Sequence, residues 1–105
     1  MNLTSFLQDK QLTIALRGEI DHHSAKEIMQ ALAAKVELYL PLVCILDYKD
    51  VTFMDSSGIG LVLGRYRLMQ ELNGKLVLRA MPPHIRRVMR VAGIGSLEIE
   101  EESCV

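Results

Sequence analysis

Val51-Thr52-Phe53-Met54-Asp55-Ser56-Ser57-Gly58-Ile59-Gly60-Leu61-Val62-Leu63-Gly64-Arg65-Tyr66 runs from an extended apolar segment, through a polar Asp-Ser-Ser step, into residues with helical spacing. The two hydroxyls therefore sit where a helix begins. The first backbone N–H groups of a helix lack intrahelical partners, and the macrodipole adds partial positive charge there, so a phosphate carried by a serine at that point is stabilised. Ser57 is the candidate working residue, with Ser56 beside it.

On a helical wheel, Ile59, Val62, Leu63, Tyr66 and Met69 share one side, the spacing of a core-facing stripe. Ser57, Gly60, Leu61, Gly64 and Leu68 fall on the other, where a surface helix ordinarily carries Lys and Glu. Glycine inside a helix costs about 0.5–1 kcal/mol relative to alanine, so some compensating contact is expected. Two readings stand. Gly60 and Gly64 make room for a neighbouring element of the same domain, or the strip is a docking face with a modifiable serine at its rim.

Working outward, 105 residues make one domain, 1–105, with a single core. Half the residues are hydrophobic and 24% are charged, the make-up of a globular protein, and the formal charge of −1 gives no electrostatic reason to expect nucleic acid or anionic lipid. No apolar run approaches the ~20 residues that span a bilayer, and Met1-Asn2-Leu3-Thr4-Ser5 lacks the layout of a signal peptide, so no membrane partner is expected and the cytoplasm is the expected compartment. Cys44, in the run Leu42 to Leu46, reads as a small buried hydrophobe, and Cys104 lies in a polar tail. A bridge between them is not expected. Three histidines without a Cys-x-x-Cys pair do not suggest zinc.

Leu3 to Leu7 and Leu12 to Leu16 read as an antiparallel hairpin, after which Arg17 to Asp21 leaves the second strand. A helix follows, with Ala25, Ile28, Met29, Leu32, Val36 and Tyr39 at helical spacing. Either Asp21 caps it, or Ser24 does so with Glu27 in a capping box. Pro41 ends it. Leu42 to Leu46 is apolar without alternation, as in a strand covered on both faces, and Asp47-Tyr48-Lys49-Asp50 reads as its exit turn. The second helix is expected from about Gly58 to Leu72, stopped by Asn73-Gly74 in a left-handed conformation. Lys75 to Arg79 is a short strand. Pro82-Pro83 opens a third helix, with Ile85, Val88, Met89 and Ala92 inward and Arg86, Arg87 and Arg90 outward, closed by Gly93-Ile94-Gly95. Leu97 to Ile99 reads as a last strand before an acidic tail. The order predicts an α/β fold: a mainly parallel open sheet of about five strands, an antiparallel N-terminal strand and three helices. In such sheets ligands gather at the carboxyl ends of the strands, which puts Asp21 and Asp55 beside Ser57.

Several enzyme chemistries lack their residues. No Gly-x-Ser-x-Gly elbow surrounds Ser56 or Ser57, and no Gly-Lys-Ser/Thr triplet occurs for a phosphate loop. Asp21-His22-His23 matches three letters of certain metal-dependent phosphoesterases, but the further Asp and His ligands those sites need are missing. A helix cap followed by two first-turn histidines accounts for it. The arginines of the third helix lack interleaved aromatics and read as a solvated face.

At Gly18-Glu19-Ile20-Asp21-His22-His23, followed by Phe53-Met54-Asp55-Ser56-Ser57-Gly58-Ile59-Gly60, the sequence resembles the anti-sigma factor antagonists of the STAS domain family, over nearly the whole chain. Asp-Ser-Ser-Gly-x-Gly is similar to the element of the phosphorylatable antagonists, and Leu63-Gly64-Arg65-Tyr66 with Asp21-His22-His23 resembles their sporulation type. The resemblance implies a STAS-like domain that is a switch and not an enzyme, without metal or cofactor. It implies phosphorylation on the second serine, Ser57, and partner contacts by Asp21, His22, Asp55, Ser56, Ser57, Gly58, Gly60, Leu61 and Gly64. The implied partners are an anti-sigma factor that is also a serine kinase, bound to ATP or ADP, and a PP2C-type serine phosphatase. The unphosphorylated form would release a sporulation sigma factor; a general stress-response antagonist is the alternative within the family.

Overall fold

The structure, a computed structural model, describes residues 3–103. Strands β1 (Leu3–Gln8) and β2 (Gln11–Ile20) precede helix α1 (His22–Tyr39). Then come β3 (Val43–Met54), α2 (Ser56–Glu71), β4 (Lys75–Arg79), α3 (Pro83–Val91), a 3-10 turn (Ile94–Ser96) and β5 (Glu100–Glu102). The sheet order is β1-β2-β3-β4-β5, with β1 antiparallel to β2 and every other pair parallel, the architecture expected.

The β1–β2 hairpin turns on two residues, Asp9 and Lys10, at φ of 50° and 64°. Both central residues being left-handed matches the natural twist of the strands. The Lys10 carbonyl then accepts the N–H of Leu42 at 2.8 Å, fastening the start of β3 to the hairpin. α1 ends at Leu40, whose φ of 45° and N–H bond to the Val36 carbonyl make a left-handed cap before Pro41.

Sequential strand order with right-handed crossovers places all three helices on one face of the sheet. One apolar core follows, joining Leu12, Ile14, Leu16, Cys44, Leu46, Tyr48, Leu76 and Leu78 of the sheet to Ile28, Leu32, Leu61, Val62, Met69, Ile85 and Met89 of the helices. Ile45 and Val77 point the other way and are buried outside that cluster. The apolar run at Cys44–Leu46 therefore reflects burial on both sides with helices on only one, while Leu42, expected in the strand, lies before it and is exposed.

Several boundaries differ from expectation. Asp47 to Asp50 is no turn: β3 is one strand of 12 residues, with Tyr48 fully buried on the core face and the Asp47 carboxylate accepting the Lys49 N–H at 2.9 Å. β2 continues through Arg17 to Ile20 alongside it, with register shifts after Ala15 and Gly18 that absorb the extra length. The last strand is not Leu97–Ile99 but Glu100–Glu102, where Glu100 pairs with Lys75 at 2.9 Å and Glu102 with Arg79 at 3.0 Å. Ala92, expected inward, is exposed at the end of α3. Asn73, at φ 59°, takes the left-handed position after α2, while Gly74 serves close approach: a Cβ there would lie 2.6 Å from the Leu42 carbonyl oxygen. Cys104 lies outside the described residues. Among the described residues, no helix is long and apolar enough to cross a membrane.

Candidate functional site

Parallel pairing of β2 and β3 runs to Ile20 opposite Met54, and the Asp55 N–H continues it by donating to the Ile20 carbonyl at 3.2 Å. α1 and α2 therefore begin side by side at the carboxyl ends of neighbouring strands. Asp21 caps α1, accepting the N–H groups of His23 at 3.0 Å and Ser24 at 2.9 Å. Ser24 is the reciprocal member of that box and not its cap: its hydroxyl accepts the Asp21 N–H at 3.0 Å and donates to the Glu19 carbonyl at 2.8 Å. The bond from the Ser24 N–H, ahead of the others, holds the Asp21 carboxyl below its ordinary range.

Asp55 does the same for α2, accepting the Ser57 N–H at 2.8 Å. The helix thus starts at Ser56, two residues before the expected Gly58, and Ser57 lies inside its first turn. Asp21 and Asp55 directly follow the paired residues Ile20 and Met54, so the two aspartates stand at neighbouring strand ends with Ser57 bonded to the second. One expectation changes with it: the helix mouth is occupied by a carboxylate, so a phosphate on Ser57 finds the Ser57 N–H already engaged.

α2 also sits rotated from the wheel reading. Its buried residues are Gly58, Leu61, Val62 and Met69. Leu61 is 0% exposed and does not belong to a docking strip. Gly58 is buried beneath the helix, where an added Cβ would run into the Met54 side chain. At about 100° per residue the buried face centres on Gly58, Arg65 and Met69, roughly a quarter-turn from the predicted stripe. Ser56, Ser57, Gly60 and Gly64 remain outside it. A Cβ at Gly60 or Gly64 would have no atom within 4 Å, so neither glycine makes room for another element of the domain.

The two serines open onto different grooves. Half-buried Ser57 and exposed Gly60 form one wall of a groove whose other wall is α1, with His22, Ala25, Lys26 and Met29. Ser56 faces a second, largely apolar groove between α2 and α3, with Ile59, Arg87, Val88, Val91 and Ala92. Lys26, Met29 and Arg87 were not anticipated. The available signal for Lys26 was its position four residues after His22, on the same helical face.

His22 and His23 meet edge to face at a centroid distance of 5.7 Å, and Asp21 between them and the strand is spent as a cap. Among the described residues, no three His, Cys, Asp or Glu side chains gather as metal ligands. Away from the serine, towards Cys44 near the start of β3, the Arg65 Nε and Nη1 atoms and the Tyr48 hydroxyl are buried without hydrogen-bond partners among the described residues. Burial pushes the nearby Cys44 thiol up to about 11, against an opposing pull from Arg65.

Comparison with known proteins bears on this geometry. The model of the STAS domain matches residues 6–102. The anti-sigma F factor antagonist of Lysinibacillus sphaericus is 33% identical over 96 residues, 90% of this chain and 82% of its own. The anti-sigma-B factor antagonist of Bacillus subtilis is 28% identical over 90 residues, 85% of this chain and 80% of its own. The anti-sigma factor antagonist SpoIIAA, solved in its unphosphorylated form, superposes with a TM-score of 0.85 at 28% identity, over 98% of this chain and 88% of that one.

Proposed function

The chain belongs to the STAS domain family, and on that premise we propose that it is an anti-sigma factor antagonist whose binding is switched by phosphorylation of Ser57. The unphosphorylated form binds an anti-sigma factor that is also a serine kinase, in its ATP- or ADP-bound state, and so frees a sigma factor. The kinase transfers phosphate to Ser57, and a PP2C-type phosphatase restores the hydroxyl. We assign the circuit to sporulation sigma-F, in the cytoplasm, from the likeness to the anti-sigma F antagonist and to SpoIIAA; a general stress-response role is the second reading, favoured by the likeness to an anti-sigma-B antagonist.

The observation that carries the reading is the uncovered strip: Ser57 at the start of α2, with Gly60 and Gly64 beyond it and no atom of the domain over either glycine. Such a strip admits a partner backbone closely. Phosphorylation adds roughly −1.5 to −2 charges at pH 7 at its edge. An unpaired dianion desolvated at an interface removes several kcal/mol of binding, and each 1.4 kcal/mol is tenfold in affinity.

The test is incubation with the cognate anti-sigma kinase and ATP, followed by mass spectrometry of residues 51–65, with binding measured for Ser57→Ala and Ser57→Asp. Phosphate on Ser57, with Ala bound and Asp unbound, supports the switch. Equal binding of the two variants, or phosphate only on Ser56, overturns it.

A further inference from the structure

The grooves assign the two serines different surroundings, and the difference concerns where a phosphate rests once it is attached. Both helix starts have carboxylates on them already: Asp21 holds the His23 and Ser24 N–H groups, and Asp55 holds that of Ser57. The N–H groups of Ser57, His23 and Ser24 are therefore already engaged when a phosphate is added to Ser57. Side-chain donors across the groove remain to receive it.

His22 and Lys26 are four residues apart on α1, which places them on one helical face above each other. Both line the groove opposite Ser57 and Gly60, on the α1 wall that also carries Ala25 and Met29. Gly60 adds no side chain between the Ser57 hydroxyl and Lys26, and its surroundings are open. Among the described residues, Lys26 has no carboxylate within ion-pairing distance, so its charge is unclaimed. We propose that a phosphate on Ser57 folds against its own domain and is held by Lys26 and His22. This rests on the reading of Ser57 as the modified residue. The modification then switches the protein by filling the α1–α2 groove as well as by adding charge, and the fold stays as it is.

Other titratable groups at this end include Glu19 at the end of β2, Asp21, His23 and Glu27 on the α1 side, Asp55 before α2, and His84, bonded to the Thr52 carbonyl at 3.0 Å. Asp21 and Asp55 oppose a dianion, so the clamp depends on the Lys26 charge and a ring N–H of His22 outweighing them. Ser56 offers a control, because its groove is lined by Ile59, Val88 and Val91 with Arg87 as the charged neighbour.

The experiment installs phosphoserine at position 57 of the full chain during translation and follows its second ionisation by phosphorus NMR against pH. Cations beside the phosphate favour the dianion, so this ionisation is expected about half a unit below that of a phosphoserine peptide. It should return towards the peptide value in Lys26→Met, part of the way in His22→Asn, and stay low in Lys26→Arg. Phosphoserine placed at 56 should not respond to Lys26→Met. A peptide-like titration in the parent chain, or one at 57 that ignores Lys26→Met, overturns the clamp. Because no kinase is used, that outcome leaves the switch standing, and a kinase that ignores Ser57 leaves the clamp standing.

Discussion

The Asp55 carboxylate accepts the Ser57 N–H at 2.8 Å, two residues along the chain, while the Asp55 N–H donates to the Ile20 carbonyl at 3.2 Å. One residue thus ends the β2–β3 pairing, starts α2 and sets the position of the serine. Asp21 plays the matching part for α1, with Ser24 closing the box.

Asp55→Ala removes the acceptor and is expected to lower stability by about 1 kcal/mol, read as a fall in the urea midpoint at unchanged slope. Asp55→Asn keeps an acceptor and should lose less.

The Asp21 carboxyl is held down in the folded chain, chiefly by the Ser24 N–H. A carboxyl depressed on folding adds stability above its unfolded value, about 3.9, and loses it as pH falls through the lower folded value. Stability should therefore drop below about pH 4, and Asp21→Ala should flatten that part of the profile in urea titrations at several pH values.

Glycine changes along α2 should separate stability from binding. Gly60→Ala and Gly64→Ala enter open space and should each raise stability by about 0.5–1 kcal/mol while weakening partner binding. Gly58→Ala meets Met54 and should cost about 1–3 kcal/mol. Thermal melts paired with partner titration check all three; a Gly60→Ala chain that binds like the parent would remove the close-approach argument.

Tyr48 is fully buried and its hydroxyl has no partner among the described residues. Leaving a buried hydroxyl unpaired costs roughly 1–3 kcal/mol, so Tyr48→Phe should raise the urea midpoint, by about 1 kcal/mol in free energy. A fall instead would show that the hydroxyl is bonded after all.

The sequence made legible whatever is set by local chemistry. Lys75–Arg79 and the proline start of α3 lie where turn and propensity signals put them. The rotation of α2 was hidden because the centre of its buried face holds Gly58 and Arg65, neither of which scores as apolar, while Leu61 looked like part of a surface strip. β3 was broken in reading because Asp47, Lys49 and Asp50 mask the buried Tyr48 between them. Asp55 and Ser57 could be read from the helix start, and Asp21 was placed near them from the strand topology. Lys26 was not, since only the side-by-side start of the helices brings α1 across from the serine.

The edge at β5 carries Glu100, Glu101 and Glu102 in succession, all exposed, with Lys75 and Arg79 drawn back to the first and last of them. Two such margins meeting would bring rows of like charge together. Carboxylates along that margin therefore count against a second copy docking there strand to strand, and so against growth of fibres from that side.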